Sequence, residues 1–232
     1  MLDLLPRRVS KGISGKLTPP SAALPSGISA LSLPTSTLSA SESPPDLPEP
    51  GLLAAAPRFL LTSFRPWRAH QISNASDDLL AALQHQALLP KNTYLLRRLP
   101  VSFQLAPAEV LENIVLLRPD FVICCGLAEN RCRLSLELQG VEAESFLQTP
   151  LYLPSLLSGT TITEISADAG SYVCNYLYFR VLQFLSQKPG CQALFVHVPP
   201  LNQANTPLIV QDFRRVLHQL AVLSSELLLS NS

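Results

Sequence analysis

From Arg58 onward, short apolar runs alternate with stretches of helical periodicity, and this alternation restricts the fold more than any other feature. "RFLLTSF" (58–64), "TYLLRRLPV" (93–101) and "DFVICCG" (120–126) read as strands. The third is a continuous apolar run closed by glycine, the pattern of a strand buried on both faces. Between them, "SDDLLAALQHQALL" (76–89) reads as a helix with Ser76 as N-cap. Asp77 and Asp78 stand in its first turn, where carboxylates face the positive end of the helix dipole. "APAEVLENIVLLR" (106–118) carries Pro107 near its start and Pro119 just past its end, the punctuation of a second helix. After a stretch without a clear period come a short strand around "TITEIS" (161–166), a helix opening at Cys174, the strand "ALFVHVP" (193–199) and a last helix near 211–228. The pattern predicts an α/β chain, a three-layer α/β/α sandwich with a mainly parallel central sheet, over residues 57–232. In open sheets of this kind ligands bind beyond the carboxyl ends of the strands.

Residues 1–56 are different in kind. "LTPPSAALPSGISALSLPTSTLSASESPPDLPEPG" is made of Pro, Ser, Ala, Leu and Thr, without an aromatic residue or sustained periodicity. Such a segment cannot bury enough surface to offset its ordering entropy, so a disordered N-terminal tail is expected. Arg7, Arg8, Lys11 and Lys16, with few acidic residues before Glu42, give it the bias of an organellar transit peptide. Its weak amphipathic character favours a tail without a role of its own.

Composition excludes several classes. Lys plus Arg and Asp plus Glu balance at 17 each, and no basic run offers a nucleic-acid footprint. No apolar segment is long enough to span a bilayer, so no membrane partner is expected. The five cysteines include no CxxC pair, which argues against a metal site and points to reduced thiols in the cytoplasm.

Three side chains fall where the alternation puts ligands. Cys174, in "SADAGSYVCNYLYFRVLQFL" (166–185), follows a small-residue turn and opens a helix whose buried stripe includes Leu177, Val181, Phe184 and Leu185. A cysteine there is either a small core residue or a nucleophile, because a helix N-terminus favours a thiolate. His197 sits near the end of "ALFVHVP", as a packed histidine or a proton carrier. Glu137, in "GLAENRCRLSLELQG" (126–140), is an exposed strand carboxylate or the group that orients the imidazole. Together they are the residue types of a cysteine hydrolase: thiolate, imidazole and orienting acid.

The same segments resemble pyroglutamyl-peptidase I, the pyrrolidone-carboxylate peptidase family, across nearly all of residues 58–200. "AGSYVCN" (169–175) is similar to the family's nucleophile segment, "FVHVP" (195–199) to its histidine segment, and "GLAENR" (126–131) with Glu137 to its glycine–arginine stretch and glutamate. The resemblance implies removal of an N-terminal pyroglutamyl residue through a thioester with Cys174. His197 would be the general acid/base and Glu137 its orienting partner, with no metal or organic cofactor. "LLTSFRPW" (60–67) resembles the family's ring-clasping loop, and Asn74 falls at its pocket-wall asparagine. A neutral, flat lactam asks for apolar walls, which assigns Phe64, Trp67 and Tyr172 to substrate binding, with ordinary core packing as the competing role. Arg131 is assigned either beside the Cys174 N–H at the oxyanion or to bracing its loop through backbone carbonyls.

The family pattern is not followed everywhere. "RPWRAH" (65–70) replaces a phenylalanine-and-double-glycine loop, Leu127 replaces a glutamine, and the shortened stretch 138–165 lacks the substrate-covering loop. The alternative is therefore a catalytically weak relative that binds N-blocked peptides or small amides, with a different amidase as a third reading. Cys132, between Arg131 and Arg133, competes as nucleophile if exposed. The family's homo-oligomers make the apolar "TPLYLPSLL" (149–157) a candidate contact surface.

Overall fold

The computed structural model describes residues 56–188 and 190–230, with the side chains of 226–230 excepted. Apart from Ala56, the tail expected over 1–56 lies outside the described residues. In chain order the elements are β1 (Phe59–Phe64), α1 (Ala75–His85), β2 (Thr93–Leu99), α2 (Leu105–Leu117), β3 (Phe121–Leu127), β4 (Leu134–Glu137) and β5 (Gln139–Glu142). Then follow β6 (Ser145–Gln148), α3 (Leu153–Leu156), β7 (Thr163–Ser166), α4 (Val173–Leu185), β8 (Gln192–Val198) and α5 (Thr206–Ser230).

The apolar run that ends at Gly126 forms a central strand of a six-stranded sheet ordered β2-β1-β3-β8-β4-β7. The pairs β1–β2, β1–β3, β3–β8 and β4–β7 are parallel. Strand β4 instead runs antiparallel to β8, a reversal that the alternation did not announce. Its cause is the connection: residues 128–133 are too few for a parallel crossover, which needs about a dozen or more. The chain therefore passes over the tip of β8 and descends on its far side. One face of the sheet is covered by α1 and α5 around Leu79, Leu83, Phe213 and Leu217. The other is covered by α2 and α4 around Val110, Leu177, Tyr178 and Phe195, completing three layers.

Local chemistry moves three helix boundaries away from the sequence expectation. Asn74, not Ser76, is the N-cap of α1: its backbone is extended and its side-chain oxygen accepts from the Ser76 N–H at 3.0 Å. The Ser76 hydroxyl, two residues inside, accepts from the Phe64 N–H. Helix α1 also ends at His85 and not at 89, because Ala87 takes a left-handed φ of 53°. Helix α5 begins at Thr206, before the expected 211. The Asn202 side chain accepts from the Ala204 and Asn205 N–H groups, and Pro207 fits the first turn.

The stretch without a clear period holds the β5–β6 hairpin and α3. The hairpin lies flush on α4: a Cβ on Gly140 would stand 2.6 Å from the Phe179 backbone nitrogen. Asn175 clamps it, accepting from the Val141 N–H at 2.7 Å and donating to the Val141 carbonyl at 2.6 Å. Leu151, Leu153 and Leu156 are buried, so most of the apolar character at 149–157 belongs to the core and not to a contact surface. Tyr152 is its exposed exception.

Segment 161–163 hangs on one carboxylate. Asp212 of α5 is fully buried and accepts from the Thr161 N–H, the Ile162 N–H and the Thr163 hydroxyl at 2.7–3.0 Å. Asp212→Ala leaves those donors without a partner and is expected to cost about 3 kcal/mol, read as a lower urea midpoint with an unchanged slope.

Candidate active site

Register brings the candidate groups to one face of the sheet. Gly126 of β3 and His197 of β8 are paired, and Glu137 of β4 faces Phe195, two residues before His197. Glu137 and His197 are therefore diagonal neighbours on the same face, within reach of a long side chain. The Glu137 side chain is fully buried, and its Oε1 lies 2.6 Å from His197 Nδ1 and 2.6 Å from Arg131 Nη1. An ionised carboxylate only accepts, so Nδ1 carries the proton and Nε2 is left free as an acceptor. Among the described residues Glu137 Oε2 is buried without a partner, and Arg131 and His197 share the other oxygen.

Arg131 also donates to the Asp168 carbonyl at 2.6 Å and the Ser166 hydroxyl at 3.2 Å. It thus neutralises the buried carboxylate and ties the end of β7 to the loop after β3. Underneath, the Phe195 ring packs on the imidazole with centroids 4.9 Å apart.

Cys174 lies in the first turn of α4, which has no side-chain cap, so its amide is among the unpaired N–H groups there. Its sulfur sits over Gly126, where a Cβ would be 2.8 Å away. The absence of a side chain at Gly126 makes room for the thiol, one strand spacing (~4.8 Å) from the strand that carries His197. Both open on one cavity of about 350 Å³. Phe64, Trp67, Asn74, Arg131 and Tyr172 also line it, while Glu137 stands behind His197, outside the lining. Phe64 is buried at the base; Trp67 and Tyr172 are half exposed and in contact, with centroids 5.6 Å apart. Asn74 caps α1 and points its amide at the Arg65 carbonyl, 3.4 Å away.

Burial pushes the Cys174 thiol up to about 12, against the pull of its own backbone N–H. Desolvation at the sulfur thus opposes the pull of the helix start. Burial likewise pushes Cys124 up to about 12 and holds Cys125 well above the ordinary range, as expected of inert core thiols. Cys132 is exposed and does not line the cavity.

Sequence reasoning missed a cluster at the cavity mouth. Glu129 receives Arg68 Nη1 at 2.8 Å, Gln71 Nε2 at 2.7 Å and lies 2.9 Å from His70 Nε2. The Gln71 amide, then His70, holds the Glu129 carboxyl below the usual range. Its position three residues beyond Gly126, at a strand tip, was the available signal.

No family model matches the chain. The pyrrolidone-carboxylate peptidase of Gloeobacter violaceus is 26% identical over 170 residues, 62% of this chain and 82% of the relative. That of Thermosipho melanesiensis is 25% identical over 169 residues, 61% and 82%. Among solved structures, pyrrolidone carboxyl peptidase from Thermococcus litoralis superposes with a TM-score of 0.63 at 20% identity, covering 73% of this chain and 96% of that one. Pyroglutamyl peptidase I from Bacillus amyloliquefaciens gives 0.62 at 20% identity, covering 72% and 96%. The fold is the three-layer α/β sandwich of those solved structures. In sequence, the chain is similar at low identity to proteins named pyrrolidone-carboxylate peptidase. Among the described residues, no helix is long and apolar enough to cross a membrane.

Two outcomes follow from this geometry. Alkylation of Cys174 by iodoacetamide, mapped by mass spectrometry, should climb about tenfold per pH unit between about pH 7 and 10 without a plateau. A resting ion pair would instead give a flat profile. Gly126→Ala puts a methyl group 2.8 Å from both the Cys174 sulfur and the Phe195 ring, and is expected to cost about 2 kcal/mol in denaturant unfolding.

Proposed function

We propose that this chain is a cysteine peptidase that removes an N-terminal pyroglutamyl residue from peptides in the cytoplasm. One observation carries the reading: the thiol over Gly126 and the His197 ring backed by Glu137 open on the same small cavity. That cavity has aromatic walls, and its two arginines are already paired with carboxylates. Its volume is at the low end for ligand pockets, the scale of one terminal residue. A neutral lactam suits such walls, and the named relatives are peptidases of this kind.

The chemistry runs from a neutral thiol. The Cys174 sulfur attacks the carbonyl carbon of the pyroglutamyl group as His197 Nε2 takes its proton, so no free thiolate has to persist in a desolvated site. Glu137 accepts from Nδ1–H and stabilises the imidazolium, and Arg131 pairs with the same carboxylate oxygen. The oxyanion of the tetrahedral intermediate meets the Cys174 N–H at the start of α4. His197 then gives its proton to the departing amine, the C–N bond breaks and a thioester remains. Water, deprotonated by His197, attacks the thioester; pyroglutamate leaves and the thiol recovers its proton. Phe64, Trp67 and Tyr172 flank the ring, and Asn74 fixes the loop through the Arg65 carbonyl.

A fluorogenic pyroglutamyl amide tests this. Cys174→Ala is expected to lower kcat/KM by at least about a thousandfold, and wild-type protein quenched during turnover should carry the pyroglutamyl mass on Cys174. Turnover that survives the substitution overturns the assignment of the nucleophile. The short 138–165 stretch motivates a second reading, a binder of N-blocked peptides. Saturable binding of a pyroglutamyl peptide without turnover by the wild type would establish it.

A further inference from the structure

Loop 65–71 reaches the cavity as one of its walls. The Gln71 side-chain oxygen accepts from the Trp67 and Arg68 N–H groups at 2.9 and 3.2 Å, which curls the loop on itself. The Arg68 guanidinium lies over the Trp67 ring, 4.6 Å from its centroid, and Trp67 rests on Tyr172 at the start of α4. The loop's side-chain hold on the far bank is Glu129, which gathers Arg68, His70 and Gln71. Glu129 lies in the connection that crosses the tip of β8, the same connection that carries Arg131.

Two consequences meet in this carboxylate. Charge-assisted hydrogen bonds from three side chains fix the position of the Trp67 ring before any ligand arrives, reducing the ordering cost of binding. The ion pair also occupies Arg68, which lines the cavity and would otherwise offer a cation to the substrate. We propose that Glu129 is the positioning residue that sets this site's preference for an uncharged ring, by holding the Trp67–Tyr172 wall closed and keeping Arg68 out of substrate contact. This rests on the pyroglutamyl-peptidase reading, and it assigns loop 65–71 the covering role that the short 138–165 stretch does not fill. The open-chain glutamyl group, which carries a carboxylate where the lactam has none, is the substrate that Glu129 discriminates against.

Trp67 is the chain's one tryptophan, so its fluorescence reports the wall without any need for turnover. Glu129→Ala in the full chain should raise acrylamide quenching of that emission about twofold while the thermal midpoint is held. With the pyroglutamyl amide, KM should rise about tenfold and kcat change by less than about twofold. The preference for the pyroglutamyl over the glutamyl amide should narrow by about tenfold as Arg68 is released. Adding Arg68→Gln to Glu129→Ala should restore that preference but leave the quenching high. Unchanged quenching in Glu129→Ala overturns the inference whatever the activity does. Raised quenching with both KM and preference unmoved overturns the specificity role. If wild-type protein turns over neither amide, the peptidase reading fails by itself. The wall is then judged by quenching and by binding of pyroglutamyl amide compared with glutamyl amide, where equal affinities in wild type and variant overturn it.

Discussion

A carboxylate with no exposure to solvent has to be matched by positive charge, and Glu137 sets that demand for the whole top of the domain. Arg131 answers it with its guanidinium and His197 adds the Nδ1–H at the same oxygen, and each is supplied by a different part of the chain. Arg131 comes from the connection after β3, so that connection has to pass over β8. His197 comes from β8 itself, so β4 has to descend beside it in the reverse direction. The bonds from Arg131 to Ser166 and Asp168 then bring in the end of β7 and the turn leading to Cys174. The antiparallel strand, which looks like an irregularity in a parallel sheet, is the element that brings the acid beneath the imidazole.

The charges around the cavity are arranged so that few remain available to a ligand. Arg131 is committed to Glu137 and Arg68 to Glu129, while aromatic rings, small and aliphatic residues and a few polar groups, Asp168 among them, make up the rest of the lining. Paired guanidinium groups and a desolvated thiol belong together here. A site that excludes water enough to raise a thiol also makes a free guanidinium expensive, and pairing removes that cost.

How much of this was readable in the sequence depended on the range of the determining interaction. Strand β3 and its closing Gly126, and α2 between two prolines, follow from local pattern, and the three layers follow from alternation. The cap of α1 went to Asn74 and not Ser76 because the choice depends on which side chain meets the extended backbone at the entry, which spacing does not encode. The reversal of β4 was implicit in the short 128–133 connection but needed the strand order to become visible. Glu129 escaped because its three partners are about sixty residues away in sequence and carry no periodic signal. The desolvation that opposes the helix start at Cys174 was out of reach for a related reason. A helix N-terminus is legible in sequence, whereas the depth at which it is buried is a property of the assembled layers.

The β5–β6 hairpin keeps its inner end and its tip under different constraints. At the inner end Gly140 and Asn175 weld it to α4 beside the nucleophile; at the tip Ala143 takes a left-handed turn, flanked by exposed residues. Residues added at 143–144 would extend outward without disturbing the weld. The length of this arm is therefore a dimension along which reach over neighbouring surface can be altered while the reacting groups stay in place.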